Sequence, residues 1–111
     1  MLQRKITRWT LSVGLNDKDA KKQLITDEEA LLIINQAMFT VGVDGNIQQS
    51  FGIYTHDDGT KVMEKSFNIE ILFSSDAKVL ELIQVLTVKL NQESIVMKKD
   101  KIKSKLVYGR A

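Results

Sequence analysis

The chain has 111 residues, of which 43% are hydrophobic and 27% charged, a composition typical of a folded globular chain. This length suits a single domain, residues 1–111, with one core. No cysteine is present, which excludes disulfides, thiolate nucleophiles and cysteine-ligated metal sites. The first residues lack the apolar run of a signal peptide, and no stretch approaches the roughly 18–20 apolar residues that cross a bilayer. We therefore expect a cytoplasmic protein that makes no membrane contact.

A strand and then a helix are predicted in the first part of the chain. Large apolar residues alternate with small or polar ones from Trp9 to Leu15, and this period of two predicts a half-buried strand over about residues 6–15. After a charged loop, Thr26 and Glu29 have the capping-box spacing that begins a helix. Apolar residues then recur at helical spacing, so the helix is predicted over about residues 26–39.

A long β-hairpin is the clearest local pattern in the sequence. Its turn contains Asp58 and Gly59, and Gly59 can take the positive φ that a tight turn needs. The large apolar residues share one parity on each side of the turn: Ile47, Phe51 and Ile53 before it, and Met63, Phe67, Ile69, Ile71 and Phe73 after it. The pattern therefore predicts two antiparallel strands.

A second helix and a last strand complete the predicted elements. Ser74 and Ser75 supply an N-cap, and an apolar face at helical spacing predicts a helix over about residues 76–91, with Asn91 as its C-cap. The last strand is predicted in two pieces, 94–97 and 102–108, with a bulge or turn at the charged residues 99–101.

The element order β-α-β-β-α-β predicts an α+β fold of the ferredoxin-like type. In this plait, two helices cover one face of a four-stranded antiparallel sheet. Right-handed crossovers place the first and third strands in the middle, the fourth beside the first, and the second at the other edge. Strand parity then assigns eight residues to the sheet face that no helix covers: Thr10, Ser12, Ser50, Tyr54, Ser66, Asn68, Glu70 and Val96.

This open face lacks the aromatic platform of an RNA-recognition motif. Such a motif stacks bases on aromatic residues at the centre of the first and third strands. The corresponding positions here hold Ser12 and Asn68. We therefore exclude that class of RNA reader.

Positive charge is concentrated at the two ends of the chain. Residues 1–8 and 98–111 carry nine Lys or Arg and one acid, whereas residues 9–97 carry seven bases and thirteen acids. The predicted strand order brings both ends to one edge, where they form a candidate polyanion or nucleic-acid site. Its members are Arg4, Lys5, Arg8, Lys103, Lys105 and Arg110. The alternative is that lysines on an outer strand only prevent edge-to-edge aggregation.

No group of side chains in the sequence forms a convincing catalytic or metal centre. The tripeptide His56–Asp58 joins imidazole to carboxylates, but its place at a hairpin tip favours turn geometry and solvent exposure. Glu93 is interpreted as a hydrogen-bonding residue at a helix end. Glu64 and Glu70 share a strand face but are six residues apart, about 20 Å, too far for a catalytic pair. We predict no catalytic residue, no cofactor and no metal.

Short motifs are spread over residues 9–107. They are Trp9, Thr10 and Leu11; Val13, Gly14 and Leu15; Gly52 with Tyr54; Asp58 with Gly59; Glu64 with Ser66; and Gln92, Glu93 and Ser94. Together they resemble a family of small bacterial proteins of unknown function with a ferredoxin-like fold of the dimeric α+β-barrel type. The chain departs from that family in a shorter segment before the second strand and in its basic tail. The resemblance implies a plait-like fold and no established activity.

Two hypotheses of function follow. The first is a non-enzymatic binding or regulatory module that acts through its open sheet face, as a homodimer, with nucleic acid contacting the basic ends. The alternative is an enzyme or small-molecule binder of the dimeric α+β-barrel type, with a pocket between the sheet and its helices. In that case the candidate pocket residues are Tyr54, Asn68, Glu70 and Glu93.

Overall fold

The computed structural model describes residues 3–55 and 58–109. In chain order the elements are β1 (Gln3–Gly14), α1 (Asp27–Val41), β2 (Asn46–Thr55), β3 (Lys61–Ile71), α2 (Asp76–Lys89) and β4 (Val96–Lys105). The strands form an antiparallel sheet in the order β2-β3-β1-β4, which confirms the predicted ferredoxin-like α+β fold and its strand order. Neither helix of the described part is long and apolar enough to span a membrane.

The strand register assigns each strand residue to one of the two faces of the sheet. Ser12 of β1 pairs with Asn68 of β3 on one side and with Val96 of β4 on the other. Gln48 of β2 pairs with Asn68 from the far side, so these four residues form one row across the sheet. Because side chains alternate along a strand, all eight residues predicted on the open face lie there.

The strand residues of the opposite parity pack against the helices and form the core. Leu11 of β1, Ile69 of β3, Ile34 of α1 and Leu82 of α2 have no exposed surface. Trp9 is 4% exposed, which confirms it as a core residue, and its indole Nε1 donates a hydrogen bond to Asp76 at 2.9 Å. The space between sheet and helices is therefore filled by side chains.

The helix ends follow from local hydrogen bonds. Thr26 is the N-cap of α1, and its hydroxyl accepts from the Glu29 amide at 3.1 Å, as the capping pattern predicts. The helix runs to Val41, two residues beyond the prediction, because Gly42 at φ 83° ends it in the left-handed conformation. Helix α2 ends at Lys89 with Leu90 as its C-cap, one residue before the predicted Asn91. Asn91 follows at φ 48° in the left-handed conformation, and the Gln92 amide donates to the Thr87 carbonyl at 2.9 Å.

Strand β4 differs from the prediction because it is continuous. Each residue from Val96 to Lys105 pairs with a residue of β1, so the predicted interruption at 99–101 does not occur. The charged side chains of this edge strand are exposed on alternating faces, and solvent accommodates them without a bulge. The unbroken pairing also extends β1 back to Gln3, beyond its predicted start.

Candidate functional site

A chain of hydrogen-bonded polar side chains crosses the centre of the open face. The Ser12 hydroxyl donates to the Asn68 side-chain oxygen at 2.8 Å, and the Asn68 amide donates to the Ser50 hydroxyl at 3.1 Å. Ser50 in turn shares a hydrogen bond of 2.8 Å with Ser66. These contacts fix the rotamers of small side chains and leave a polar floor without bulky groups above it.

Two clefts lie on this floor and meet at Ser12. The smaller, of about 470 Å³, includes Thr10, Gln48, Asn68 and Glu70 in its lining. The larger, of about 630 Å³, lies toward the hairpin end of the sheet. Its lining residues are Ser12, Gly14, Asn16, Asp17, Lys18, Lys21, Tyr54, Val62, Glu64, Ser66, Gln92, Glu93, Ser94 and Val96. The clefts are on the open face and not between sheet and helices, where the alternative hypothesis expected a pocket, because core side chains fill that space.

Glu64 is the half-buried carboxylate of the larger cleft. Its Oε2 accepts a hydrogen bond from the Asn16 backbone amide at 3.0 Å. A β-carbon on Gly14 would lie 2.6–2.7 Å from the carboxyl atoms, so the absence of a side chain at Gly14 makes room for this carboxylate. Among the described residues, no donor is bonded to Oε1. Glu64 therefore has one oxygen fixed to the protein and one available to a ligand.

Tyr54 forms an aromatic wall of the same cleft. Its ring lies along β2 above Gly52, where an added β-carbon would clash with the phenol oxygen and approach ring atoms to 2.6 Å. Gly52 pairs with Glu64, so the ring and the carboxylate are neighbours across two strands. The Tyr54 side chain is about half exposed, at 54%, and offers a ring face to a ligand.

The remaining wall of the larger cleft is a loop tied to the end of α2. The Asn91 amide donates to Asp17 at 2.8 Å and to Asp19 at 2.9 Å. The second Asp17 oxygen accepts from the Asp19 and Ala20 amides. The Asn91 hydrogen bond, followed by the one from the Ala20 amide, lowers the pKa of Asp17. Both Asp17 oxygens are thus committed to the loop, and this carboxylate has a structural role.

The structure divides the four predicted pocket residues between the two clefts. Tyr54 and Glu93 line the larger cleft, and Asn68 and Glu70 line the smaller one. Sequence reasoning set Glu64 aside because it considered only the pair with Glu70. The useful signal was the Gly14–Glu64 combination, but it depends on the register between β1 and β3.

The candidate polyanion site predicted from the two ends of the chain, called the basic corner from here on, is divided between two faces of the sheet. Arg4 and Arg8 are on the open side, whereas Lys5, Lys103 and Lys105 have the parity of the helix side. Arg110, like His56 and Asp57 of the tripeptide, lies outside the described residues.

Arg8 of this corner is engaged by acids. It donates to Asp100 through Nε at 3.1 Å and through Nη2 at 2.7 Å, and its Nη1 lies 3.7 Å from Glu70. The hydrogen bonds and the charge of Asp100 raise the pKa of Arg8, and Arg8 lowers the pKa of Asp100. Arg8 therefore contributes little free positive charge to the corner.

Comparison with known proteins gives matches at the level of structure. No family model matches the chain, and no curated protein matches its sequence. A phage SAM lyase in complex with S-methyl-5′-thioadenosine superposes with a TM-score of 0.63 at 22% identity, over 95% of this chain and 93% of that one. A phage SAM lyase in the apo state gives a TM-score of 0.63 at 21% identity, over 99% of both chains.

These neighbours correct the functional interpretation. The prediction of a non-enzymatic binding or regulatory module is contradicted, because two solved structures that share the fold over nearly their whole length are of phage SAM lyases, which are enzymes. The comparison favours the alternative, a small-molecule binder or enzyme. The implied family of bacterial proteins of unknown function is supported only in its small size and fold class. At this identity, the chain is similar to the phage lyases in fold.

Proposed function

We propose that the chain is an enzyme that binds SAM (S-adenosylmethionine) in the larger cleft and releases S-methyl-5′-thioadenosine. The observation that carries the proposal is the cleft of about 630 Å³ beside Glu64, in a chain whose fold matches a SAM lyase over almost its full length. This volume is within the range of about 300–1,000 Å³ that small-molecule sites occupy.

The chemical groups of the cleft suit a cationic nucleoside. Tyr54 offers a ring face to a sulfonium or an adenine, and Val62 and Val96 add apolar contact. Glu64, with one free oxygen, and the exposed Glu93 can accept hydrogen bonds from ribose hydroxyls or from the ammonium group. Lys18 and Lys21 are cations on the same rim that can pair with the ligand carboxylate.

The reaction defines what the cleft must do. Release of the thioether requires the bond between sulfur and the γ-carbon of the methionyl part to break, and its electron pair goes to sulfur. A lyase adds no water, so the four-carbon fragment leaves with a new ring or a new double bond. Ring closure by the fragment's own carboxylate needs no protein base, whereas elimination needs a base near the β-carbon.

Sulfur loses its positive charge in the reaction, and apolar side chains beside it favour this step. The transition state carries less charge on sulfur than the substrate does, so apolar contact with Val62 and Val96 favours it relative to the substrate. The fixed carboxylate of Glu64 holds the rest of the ligand in a productive orientation. The protein therefore contributes mainly orientation of the ligand and apolar contact with the sulfur.

The test is incubation of the chain with SAM followed by mass spectrometry of the products. We expect S-methyl-5′-thioadenosine together with a four-carbon fragment whose mass shows no added water. Glu64→Gln should lower kcat/KM by roughly 10- to 100-fold, the value of a hydrogen bond to a charged group. Glu81→Gln is the matched control, because Glu81 is exposed on α2, on the covered side of the sheet.

The outcomes separate catalysis from binding. If the chain binds S-methyl-5′-thioadenosine but does not turn over SAM, it is a binding protein for the same class of ligand and not an enzyme. If neither compound binds at millimolar concentration, or if Glu81→Gln loses as much activity as Glu64→Gln, the proposal is wrong.

A further inference from the structure

A row of lysines lies on the helix side of the β1–β4 edge, on the sheet face opposite the proposed ligand cleft. Lys101, Lys103 and Lys105 occupy alternate positions of β4, about 7 Å apart along the strand. Lys5 of β1 pairs directly with Lys103, which places their β-carbons about 5 Å apart. We call these four residues the lysine row. All four are exposed.

In the described part of the chain, nearby acids form no ion pair with the lysine row. Asp76 accepts hydrogen bonds from Lys99 at 2.8 Å and from the Trp9 indole at 2.9 Å. These bonds, and to a smaller extent the charge of Lys101, lower the pKa of Asp76. Asp100 is on the open face with Arg8. Lys101 donates to the Thr7 hydroxyl at 2.7 Å, a neutral partner. No ion pair joins the lysine row to an acid of residues 3–55 or 58–109.

A shallow groove of about 440 Å³ adjoins one end of the lysine row. Its lining includes Lys5, Thr7, Trp9, Phe73, Ser74 and Lys101. The Ser74 hydroxyl is the buried side-chain polar atom that has no hydrogen-bond partner within the described part of the chain. With Arg4, which also lines it, the groove combines three cations with hydroxyl groups, which are the donors that proteins present to phosphate.

From this arrangement we infer that the groove and the lysine row bind a linear phosphate-bearing polyanion. Like charges placed opposite each other on paired strands destabilise a sheet, and a bound anion removes that cost. Three cations in line along β4, with Lys5 beside the middle one, match a ligand that carries phosphates in line. Edge protection alone requires lysines on the outer strand, but it does not account for Lys5 on the inner neighbour or for a hydroxyl-lined groove. The site goes beyond the proposed SAM chemistry and is independent of it.

The inference predicts how strongly the binding constant depends on salt concentration. If each lysine neutralises one phosphate of a single-stranded oligonucleotide, the plot of log K against log salt has a slope of about −0.7 per contact, or about −3 for the four. The double variant Lys5→Gln/Lys103→Gln should halve this slope to about −1.4. Glutamines at these positions keep the strand pairing, since both lysine side chains are exposed and the pairing is made by the backbone.

The experiment is calorimetric titration with tripolyphosphate and with a single-stranded oligonucleotide, from about 50 to 200 mM salt. Trp9 is the sole tryptophan and lines the groove, so its fluorescence locates the bound ligand. Lys98→Gln is the matched control, because Lys98 is on the same strand but faces the open side. Binding that weakens in the double variant and not in the control supports the site. If tripolyphosphate binds and the oligonucleotide does not, the ligands of the site are free phosphate compounds. If both bind and the oligonucleotide has the steeper salt dependence, the ligand is a nucleic acid.

Three results would overturn the inference. One is the absence of binding to both ligands at the lowest salt. Another is an equal loss of affinity in Lys98→Gln and in the double variant. The third is an oligonucleotide salt slope that is the same in the double variant and in the parent chain, which would leave edge protection as the role of the lysine row.

Discussion

The substitution Gly14→Ala separates the proposed site from the stability of the fold. A β-carbon at this position would lie 2.6–2.7 Å from the Glu64 carboxyl atoms, closer than atoms can approach. Gly14 has no positive φ, so alanine fits its backbone conformation. The Glu64 carboxylate is the flexible end of a long side chain, and we expect it to move away and lose the hydrogen bond from the Asn16 amide.

The size of the effect on affinity follows from the contact that the displaced carboxylate would make with the ligand. A hydrogen bond to a charged group contributes about 1.5–3 kcal/mol, and the half-buried position of Glu64 favours the lower end, about 1.5 kcal/mol. Loss of one such bond to the ligand corresponds to a roughly tenfold weaker binding of SAM. Loss of the bond from the Asn16 amide also lowers the free energy of unfolding, by about 1.5 kcal/mol, and the smaller unfolded-chain entropy of alanine offsets about 0.4–1 kcal/mol of this.

The assay is calorimetric titration of SAM with Gly14→Ala, Glu64→Ala and the double variant, beside their thermal unfolding. In the Glu64→Ala background, Gly14→Ala should have almost no further effect on affinity, because the side chain it displaces is gone. Equal tenfold losses from Gly14→Ala in both backgrounds would refute the reasoning. So would a large drop in Tm with unchanged affinity.

Three further predictions concern the fold. Gly45→Ala should lower the free energy of unfolding by about 1–3 kcal/mol in urea titrations, because its β-carbon would lie 2.6 Å from the Glu70 backbone oxygen, and backbone cannot yield; an unchanged urea midpoint would contradict this. Leu82→Ala should cost about 2–5 kcal/mol in the same assay, since Leu82 is fully buried between helix and sheet, and a loss below 1 kcal/mol would show a looser core. Hydrogen bonds from Gln23 and two other side chains lower the pKa of Asp27 to about 2, so its stabilising effect is present above pH 4 and is lost as the pH falls toward 2. The urea midpoint should therefore fall less between pH 5 and 2 in Asp27→Asn than in the parent chain, and equal falls would exclude this contribution.

The sequence predicts the sheet well because its information is local. The period of two around Trp9 to Leu15 and the parity of the hairpin determine which side chains are buried, and the structure confirms both faces. The error at β4 has a physical cause. Charged residues at 99–101 were interpreted as a break, yet an edge strand exposes them to solvent without leaving the ladder.

The candidate site could not be predicted in the same way because it depends on long-range register. The Glu64 carboxylate is placed by Gly14 and Asn16, which are about 50 residues away in the chain. The hypothesis of a non-enzymatic module weighed the absence of catalytic motifs too heavily, since a shallow cleft on a sheet needs none. The predicted homodimer stays a prediction.

Mapping of backbone amide chemical shifts during titration with S-methyl-5′-thioadenosine tests the location of the ligand site most directly. The proposed cleft predicts saturable shifts at Gly14, Asn16 and Glu64, with those of Lys103 and Lys105 unchanged. Shifts confined to the helix side, or no shifts at millimolar ligand, would contradict a ligand site on the open face.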